Sequence, residues 1–235
     1  MSQITTITFF KYPTLRTRAW AFQMMQFAHR PLGQIKGLTF YKLMGSGKNE
    51  GFNPFPDWAV YSLLQVWESE EDADFFFAEA KLMFRYRKNA EEIWTIYMKN
   101  ISAKGEWSKK QPFQVSQDID KNNEHLAIIT RATIKPSKLL PFWKYVPTSH
   151  LSLKGNTGLI YTKGIGEVPI LQMATFSLWK DWASVKQFAY ESKEHHVAIQ
   201  KTRELDWYSE EMFSRFQPYR SEGTWEGEEM LPHLK

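Results

Sequence analysis

GLTFYK at residues 37–42 returns as GLIYTK at 158–163, and the segments flanking the two copies follow one another in the same order. In the first half the β-branched and aromatic run at 4–10 reads as a strand. Pro13 allows a helix to begin, and Trp20, Met24 and Phe27 fall at helical spacing over 16–29. Strands are predicted at 37–44 and 59–67, a helix at 69–88 and a strand at 93–101. The Gly- and Pro-punctuated segment 45–56 is predicted as a loop serving as lid or interface, since Gly47 and Gly51 can flex while Phe52, Phe55 and Trp58 can pack. In the second half a strand at 125–134 ends in Lys-Pro as the first strand ended in Tyr-Pro. Trp143 follows Pro136 at the interval at which Trp20 follows Pro13. The strand at 170–179 echoes the one ending at Trp67, and SEGTW at 221–225 echoes AKGEW at 103–107. Several anchors in one order at nearly constant offset mark an internal duplication.

A β-α-β-β-α-β unit used twice is an α+β plan: a tandem duplication of a ferredoxin-like unit, giving two four-stranded antiparallel sheets, each with both helices on one face. The bare faces then bury each other, so two sheets packed face to face as a dimeric-α+β-barrel-like fold are expected. The repeats are assigned to 1–104 and 125–235. Residues 105–124, polar and poor in aliphatics, are predicted as the linker. Two independent domains would instead leave apolar sheet faces exposed.

The chain has no cysteine, which removes disulfides, cysteine nucleophiles, thiolate zinc sites, all-Cys iron–sulfur clusters and thiolate-ligated haem together. A bound metal or haem must be held by histidine and carboxylate. No apolar run reaches the roughly 18 residues of a membrane span, and the first residues lack the pattern of a secretory signal; a cytoplasmic protein is expected. The 30 basic and 26 acidic residues are interspersed without a long basic block, which argues against a nucleic-acid partner. GSGK at 45–48 is not a phosphate loop, because Asn49 replaces the required Ser or Thr and Lys42 stands where the earlier glycine belongs. Gly164-Ile-Gly166 reads as a tight turn needing positive φ. No Ser-His-Asp signature is present.

Chemistry is expected in the stretch 181–225, which reads as a long amphipathic helix, a Trp/Tyr turn and an aromatic strand. Asp181 suits the start of the helix, and Val185, Phe188, Ala189, Ser192, His196, Ile199 and Arg203 fall on one face. His196 lies near the centre of that stripe. His195 lies at its edge, where it could reach a pocket beside the helix. Counted from Trp67 as from Trp179, the first half has Met83 and Phe84 at this register, so the histidines belong to the second half alone. Pointing about 100° apart, the two cannot readily bind one ion. An apolar helix face, no cysteine and 16% aromatics suit a pocket for a flat hydrophobic ligand with an axial imidazole. The plainer alternative is a satisfied core histidine beside a surface one. The surrounding aromatics, Trp179, Trp182, Trp207, Tyr208, Phe213, Phe216 and Trp225, are expected mainly in the core.

TRATI at 130–134, FW at 142–143, VP at 146–147, GIGE at 164–167, ATFSLW at 174–179 and FAY at 188–190 together resemble the spheroidene monooxygenase family of carotenoid-oxidising bacterial proteins. So do His195, TR at 202–203, WY at 207–208, EE at 210–211, Phe213, RF at 215–216 and SEGTW at 221–225, and, in the first half, LMGSG at 43–47, GF at 51–52 and PD at 56–57. The resemblance implies a dimeric α+β-barrel type of fold, a haem (iron) cofactor, and O2-dependent insertion of oxygen into an acyclic carotenoid. By position the family's histidine matches His195 as the iron ligand, whereas periodicity favours His196 as the buried one; His195 is preferred and His196 kept as the alternative. Arg131 and Arg203 are the distal catalytic candidates on resemblance alone. Implied partners are an apolar small-molecule substrate, an electron donor such as a ferredoxin, a membrane surface for substrate uptake, and a second copy in a homodimer. A non-catalytic haem- or small-hydrophobe-binding protein and a cofactor-free structural dimer are the readings of other classes.

Overall fold

The computed structural model describes residues 2–48, 55–145, 156–191 and 205–234. The first half runs β1 (Ile4–Lys11), α1 (Leu15–Phe27), α2 (His29–Leu32), β2 (Leu38–Gly47), β3 (Pro56–Trp67), α3 (Glu70–Glu79), α4 (Lys81–Asn89) and β4 (Glu92–Gly105). The second half runs β5 (Leu126–Ile134), a 3-10 turn (Pro136–Lys138), α5 (Leu139–Tyr145), β6 (Leu159–Val168), β7 (Gln172–Trp179), α6 (Trp182–Glu191) and β8 (Tyr208–Gly223). Local chemistry sets the helix starts. Thr14 and Thr17 cap α1 reciprocally, and the Ser69 side chain accepts the Asp72 amide ahead of three acidic residues in the first turn of α3. The single helix expected over 69–88 is two, because Ala80 is extended at φ −70°, ψ 126°. The long helix expected from 181 is described as far as Glu191.

All eight strands close into one antiparallel barrel in the order β1-β3-β2-β6-β7-β5-β8-β4. The barrel expected from two packed four-stranded sheets is present, and the sheets are in addition joined edge to edge at two seams, which leaves no free edge. Within the first half the order is 4-1-3-2, and the second half has the same order, 8-5-7-6. The seams are unequal. β4 and β8 pair from Trp94↔Gly223 to Gly105↔Met212, whereas β2 and β6 meet through Gly45↔Gly166 and Ser46↔Ile165. Gly45 to Gly47, expected in a loop, are therefore strand residues at the short seam. Since the barrel closes within one chain, no second copy is needed to complete it.

Eight strands leave an interior just wide enough for side chains to fill. Ile7, Phe9, Trp94, Ile96, Ile129 and Phe176 fill it, joined by Trp107 and Phe113 from the segment expected as a polar linker and by Leu231 near the C-terminus. Outside, α1 to α4 cover the first half's strands with one continuous apolar cluster that includes Phe10, Leu63, Trp67, Phe76 and Met83. Outside the second half the cover divides into two smaller clusters, Ile134/Phe142/Met173/Trp207 and Leu126/Ile128/Trp179/Val185. Between them Thr130 is exposed, although it lies on a strand flanked on both sides. No described helix is long and apolar enough to cross a membrane.

Interdependence of the halves gives a direct expectation. Residues 120–235 made alone should aggregate, because the β6 and β8 edges and an apolar inner face would meet water. Size-exclusion chromatography checks it, and a monomeric fragment with a cooperative melt would contradict it.

Candidate functional site

β5 carries one inward-facing charge, on a residue paired with Ala174 of β7 and Met212 of β8. Arg131 follows Ala127 and Ile129 on the barrel face of the strand, and its side chain is 1% exposed. A buried guanidinium must be paired. It bonds the Glu210 carboxylate of β8, lies 3.5 Å from Glu167 Oε2 of β6, and sits over the Trp107 ring at 5.7 Å. Glu167 is held from two further sides: Trp107 Nε1 donates to it at 2.8 Å, and Lys42 of β2 forms an ion pair with it. Lys42 Nζ also reaches Ser108 Oγ at 2.6 Å. Glu210 accepts the amides of Ser108 and Lys109 at 3.0 and 2.7 Å, both residues lying in the left-handed region at φ 55° and 59°. Burial pushes the Glu210 carboxyl up, but those two amides and the Arg131 charge outweigh it and hold the group below the usual carboxylate range. Arg131 Nε is left without a partner. Two cations and two carboxylates thus lock the turn after β4 over the barrel.

Glu167 is also where this network meets an open space. An apolar cleft of about 170 Å³ lies against the short seam, walled by Phe22 and Met25 of α1, Trp58 and Tyr61 of β3, and Ile165, Pro169, Ile170 and Met173. Gly45, Gly47 and Gly166 thin its wall. These glycines serve different ends. A Cβ on Gly166 would come within 2.6 Å of the Gln172 carbonyl oxygen, whereas one on Gly45 would meet nothing within 4 Å. The positive φ expected for Gly164-Ile-Gly166 is not seen; the run is part of β6, and its glycine is demanded by close approach. A second ion pair, Lys163 to Asp57 at 3.0 Å, crosses between the halves beside the cleft. Burial, helped by the Asp57 carboxylate, pushes the Tyr61 phenol up to about 12. Its hydroxyl, buried and without a hydrogen-bond partner, is therefore a protonated donor in the cleft wall at neutral pH.

Of the residues singled out by sequence, Arg131 is brought together with Glu167, Glu210 and Lys42. His195, His196 and Arg203 lie outside the described residues. The described histidines are elsewhere: His29 Nδ1 is 3.1 Å from the Tyr41 hydroxyl, and His125 and His233 face each other at 2.7 Å. Among the described residues no cluster of three or more His, Asp or Glu could hold a metal. Sequence reasoning missed Glu167, Lys42 and Tyr61. The visible signals were the repeated lysine of GLTFYK and GLIYTK and the glutamate ending GIGE; nothing in the sequence paired the one with the other.

No family model matches the chain. It is 33% identical over 229 residues to the spheroidene monooxygenase of Rhodobacter capsulatus, a match covering 97% of this chain and 95% of that protein. To the spheroidene monooxygenase of Cereibacter sphaeroides it is 34% identical over 228 residues, covering 97% and 70%. Among solved structures, an aldoxime dehydratase in complex with butyraldoxime superposes with a TM-score of 0.60 at 9% identity, covering 98% of this chain and 85% of that one. A second aldoxime dehydratase structure gives 0.57 at 8%, covering 92% and 81%. At such identities the likeness is one of fold.

Proposed function

Because the chain belongs to the spheroidene monooxygenase family and is accordingly an oxygen-dependent monooxygenase, we propose that it inserts oxygen into an acyclic carotenoid or similar polyene, with haem held by His195. The observation that carries the substrate class is the cleft at the short seam. Its described walls are largely apolar, it excludes water from whatever part of a ligand enters, and the protonated Tyr61 hydroxyl, buried without a hydrogen-bond partner among the described residues, is a donor for an oxygen on the ligand. Glu167, fixed by Lys42, Trp107 and Arg131, keeps one carboxylate at the edge of the cleft in a single geometry. In this reading Arg131 is a positioning residue acting through Glu167, and Arg203 remains the other candidate near the reacting centre.

The described residues test the haem only at the floor it would lie on. Trp67 and Trp179 end β3 and β7, opposite Ile4 and Leu126. Counted back from them, Leu63 corresponds to Thr175, and Phe10, two residues along from Leu63's partner Thr8, corresponds to Ala132. Small side chains thus stand where the first half has Phe10 and Leu63, beneath the part of the helix layer that holds Met83. This room suits a flat group. By the same count the first-half counterpart of His195 is Met83, which is 1% exposed, and that of His196 is Phe84, which is 52% exposed, a correspondence that supports the choice of His195. Bound there, haem would supply activation of dioxygen, with electrons from a donor such as a ferredoxin. We further read the two halves as copies of one ferredoxin-like unit, supported by their identical strand order.

The test is an absorption spectrum of protein expressed with haem supplementation, with and without dithionite and carbon monoxide, followed by polyene turnover. A Soret band that moves on reduction and with carbon monoxide is expected. His195→Ala should abolish haem retention and leave the protein folded, whereas His196→Ala should retain haem. An unchanged haem spectrum in His195→Ala would overturn the assignment. Binding of haem and polyene without turnover would favour a carrier.

A further inference from the structure

The charges of this chain look evenly mixed only when the whole is counted. The first 49 residues contain seven lysines and arginines and no acidic residue, so the remainder is net acidic. That basic segment forms one wall of the cleft. On α1 the outward stripe is Leu15, Ala19, Phe22 and Gln26, and beside it run Arg16, Gln23, Phe27 and, in α2, Arg30. Such faces ordinarily carry polar residues alone, yet Leu15 is 83% exposed, Phe27 65% and Phe22 57%. Phe22 packs edge-on at 5.5 Å against Trp58, itself 51% exposed at the cleft. Arg16 and Arg30 are exposed as well, and neither has a carboxylate near it in sequence.

We propose that this face of α1 and α2 docks on the surface of an anionic lipid bilayer, seating the mouth of the seam cleft at the membrane. The inference deepens the functional reading above, on which it rests: a long polyene is insoluble in water, and the phase that can deliver it is the bilayer. Large exposed apolar side chains on an outward helix face, with arginines alongside and no acidic residue on α1 or α2 themselves to repel phosphate headgroups, are the chemistry of an interfacial helix. An acidic protein would answer the arginines but leave Leu15, Phe22 and Phe27 uncovered by charge pairing alone. Phe22, at once on the outward stripe and in the cleft wall, would stand at the point of passage.

The test is sedimentation of the full chain with vesicles of phosphatidylcholine alone or mixed with phosphatidylglycerol, using the wild type and the triple variant Leu15→Ser, Arg16→Glu, Arg30→Glu. None of these three residues lines the cleft, and all are exposed, so an unchanged melting curve is expected. The wild type should bind the anionic vesicles, and the triple variant at least about thirty-fold more weakly, from the loss of roughly five-fold per basic residue and the added repulsion. Turnover of a polyene supplied in vesicles should fall with it, while turnover of the same polyene in detergent micelles should not. Absence of wild-type binding to anionic vesicles, or equal binding by the variant, overturns the proposal. So does binding to an acidic ferredoxin, abolished in the variant, with no vesicle binding. A wild type that sediments with vesicles but oxidises no polyene in either form would instead refute the functional reading and leave the docking surface standing.

Discussion

Gly45→Leu should lower kcat/KM for a long polyene by about 100-fold or more, equivalent to about 2.7 kcal/mol of lost transition-state binding, with the fold intact. Gly45 pairs with Gly166 at the short seam, lines the cleft, and has nothing within 4 Å of where its Cβ would stand. A leucine side chain there grows into the space the substrate is proposed to use. Its backbone is ordinary strand, in which glycine is the costly residue, so stability should change by no more than about 0.5 kcal/mol. Gly166→Ala is the contrasting control. Its Cβ would collide with the Gln172 carbonyl, and the expected loss, about 1–3 kcal/mol, is one of stability. Steady-state kinetics beside urea melts separate the two. Unimpaired turnover in Gly45→Leu would mean that the polyene binds elsewhere.

Arg131→Leu should destabilise the protein by about 3–5 kcal/mol at neutral pH, the range for removing one partner of a buried ion pair. The change leaves the Glu210 carboxylate and one side of Glu167 without their buried cation, while Lys42 and Trp107 still hold Glu167. Adding Glu210→Leu should recover much of the loss, because exchanging both partners for apolar groups avoids an orphaned charge. The pH dependence has a definite sign. The folded Glu210 lies below the ordinary glutamate value of 4.5, so its stabilising contribution is complete above that value and is lost as pH falls through the depressed folded one. Below about pH 4.5 the wild type therefore loses this contribution, and the deficit of Arg131→Leu should shrink as the stranded Glu210 carboxylate takes up a proton. Urea melts at pH 7 and pH 4 measure both effects. A single-variant loss below about 1 kcal/mol would show that the network does not hold the turn after β4.

Several elements were legible because their signals are local. β1, β3 and the strand ending at Trp179 announce themselves by β-branched and aromatic runs, and α1 by the spacing of Trp20, Met24 and Phe27. The repeated anchors carried the strand order of each half. Other features misled for equally physical reasons. Residues 45–47 look like loop because glycine is common in loops, yet here the missing side chains thin a wall between paired strands. Residues 105–124 look like linker because most are polar, yet Trp107 and Phe113 enter the barrel, and backbone amides of the same turn hold Glu210. Arg131 was found by resemblance, but its partners come from strands 36 and 79 residues away, a separation no local pattern encodes.

By itself, then, the sequence carried the family through the resemblance of its motifs, and, through composition, periodicity and order along the chain, the succession of strands, the absence of thiol chemistry and the confinement of the histidine pair to the second half. The tertiary structure decided that the halves join edge to edge, that one seam is short and bordered by an apolar cleft, and that Lys42, Arg131, Glu167 and Glu210 neutralise one another beside it. Those outcomes depend on which strands lie next to each other around a closed barrel, and on how much room glycine and alanine leave there. Pairing across a barrel is set by the sum of packing over all eight strands, so it exists only once the chain has closed on itself.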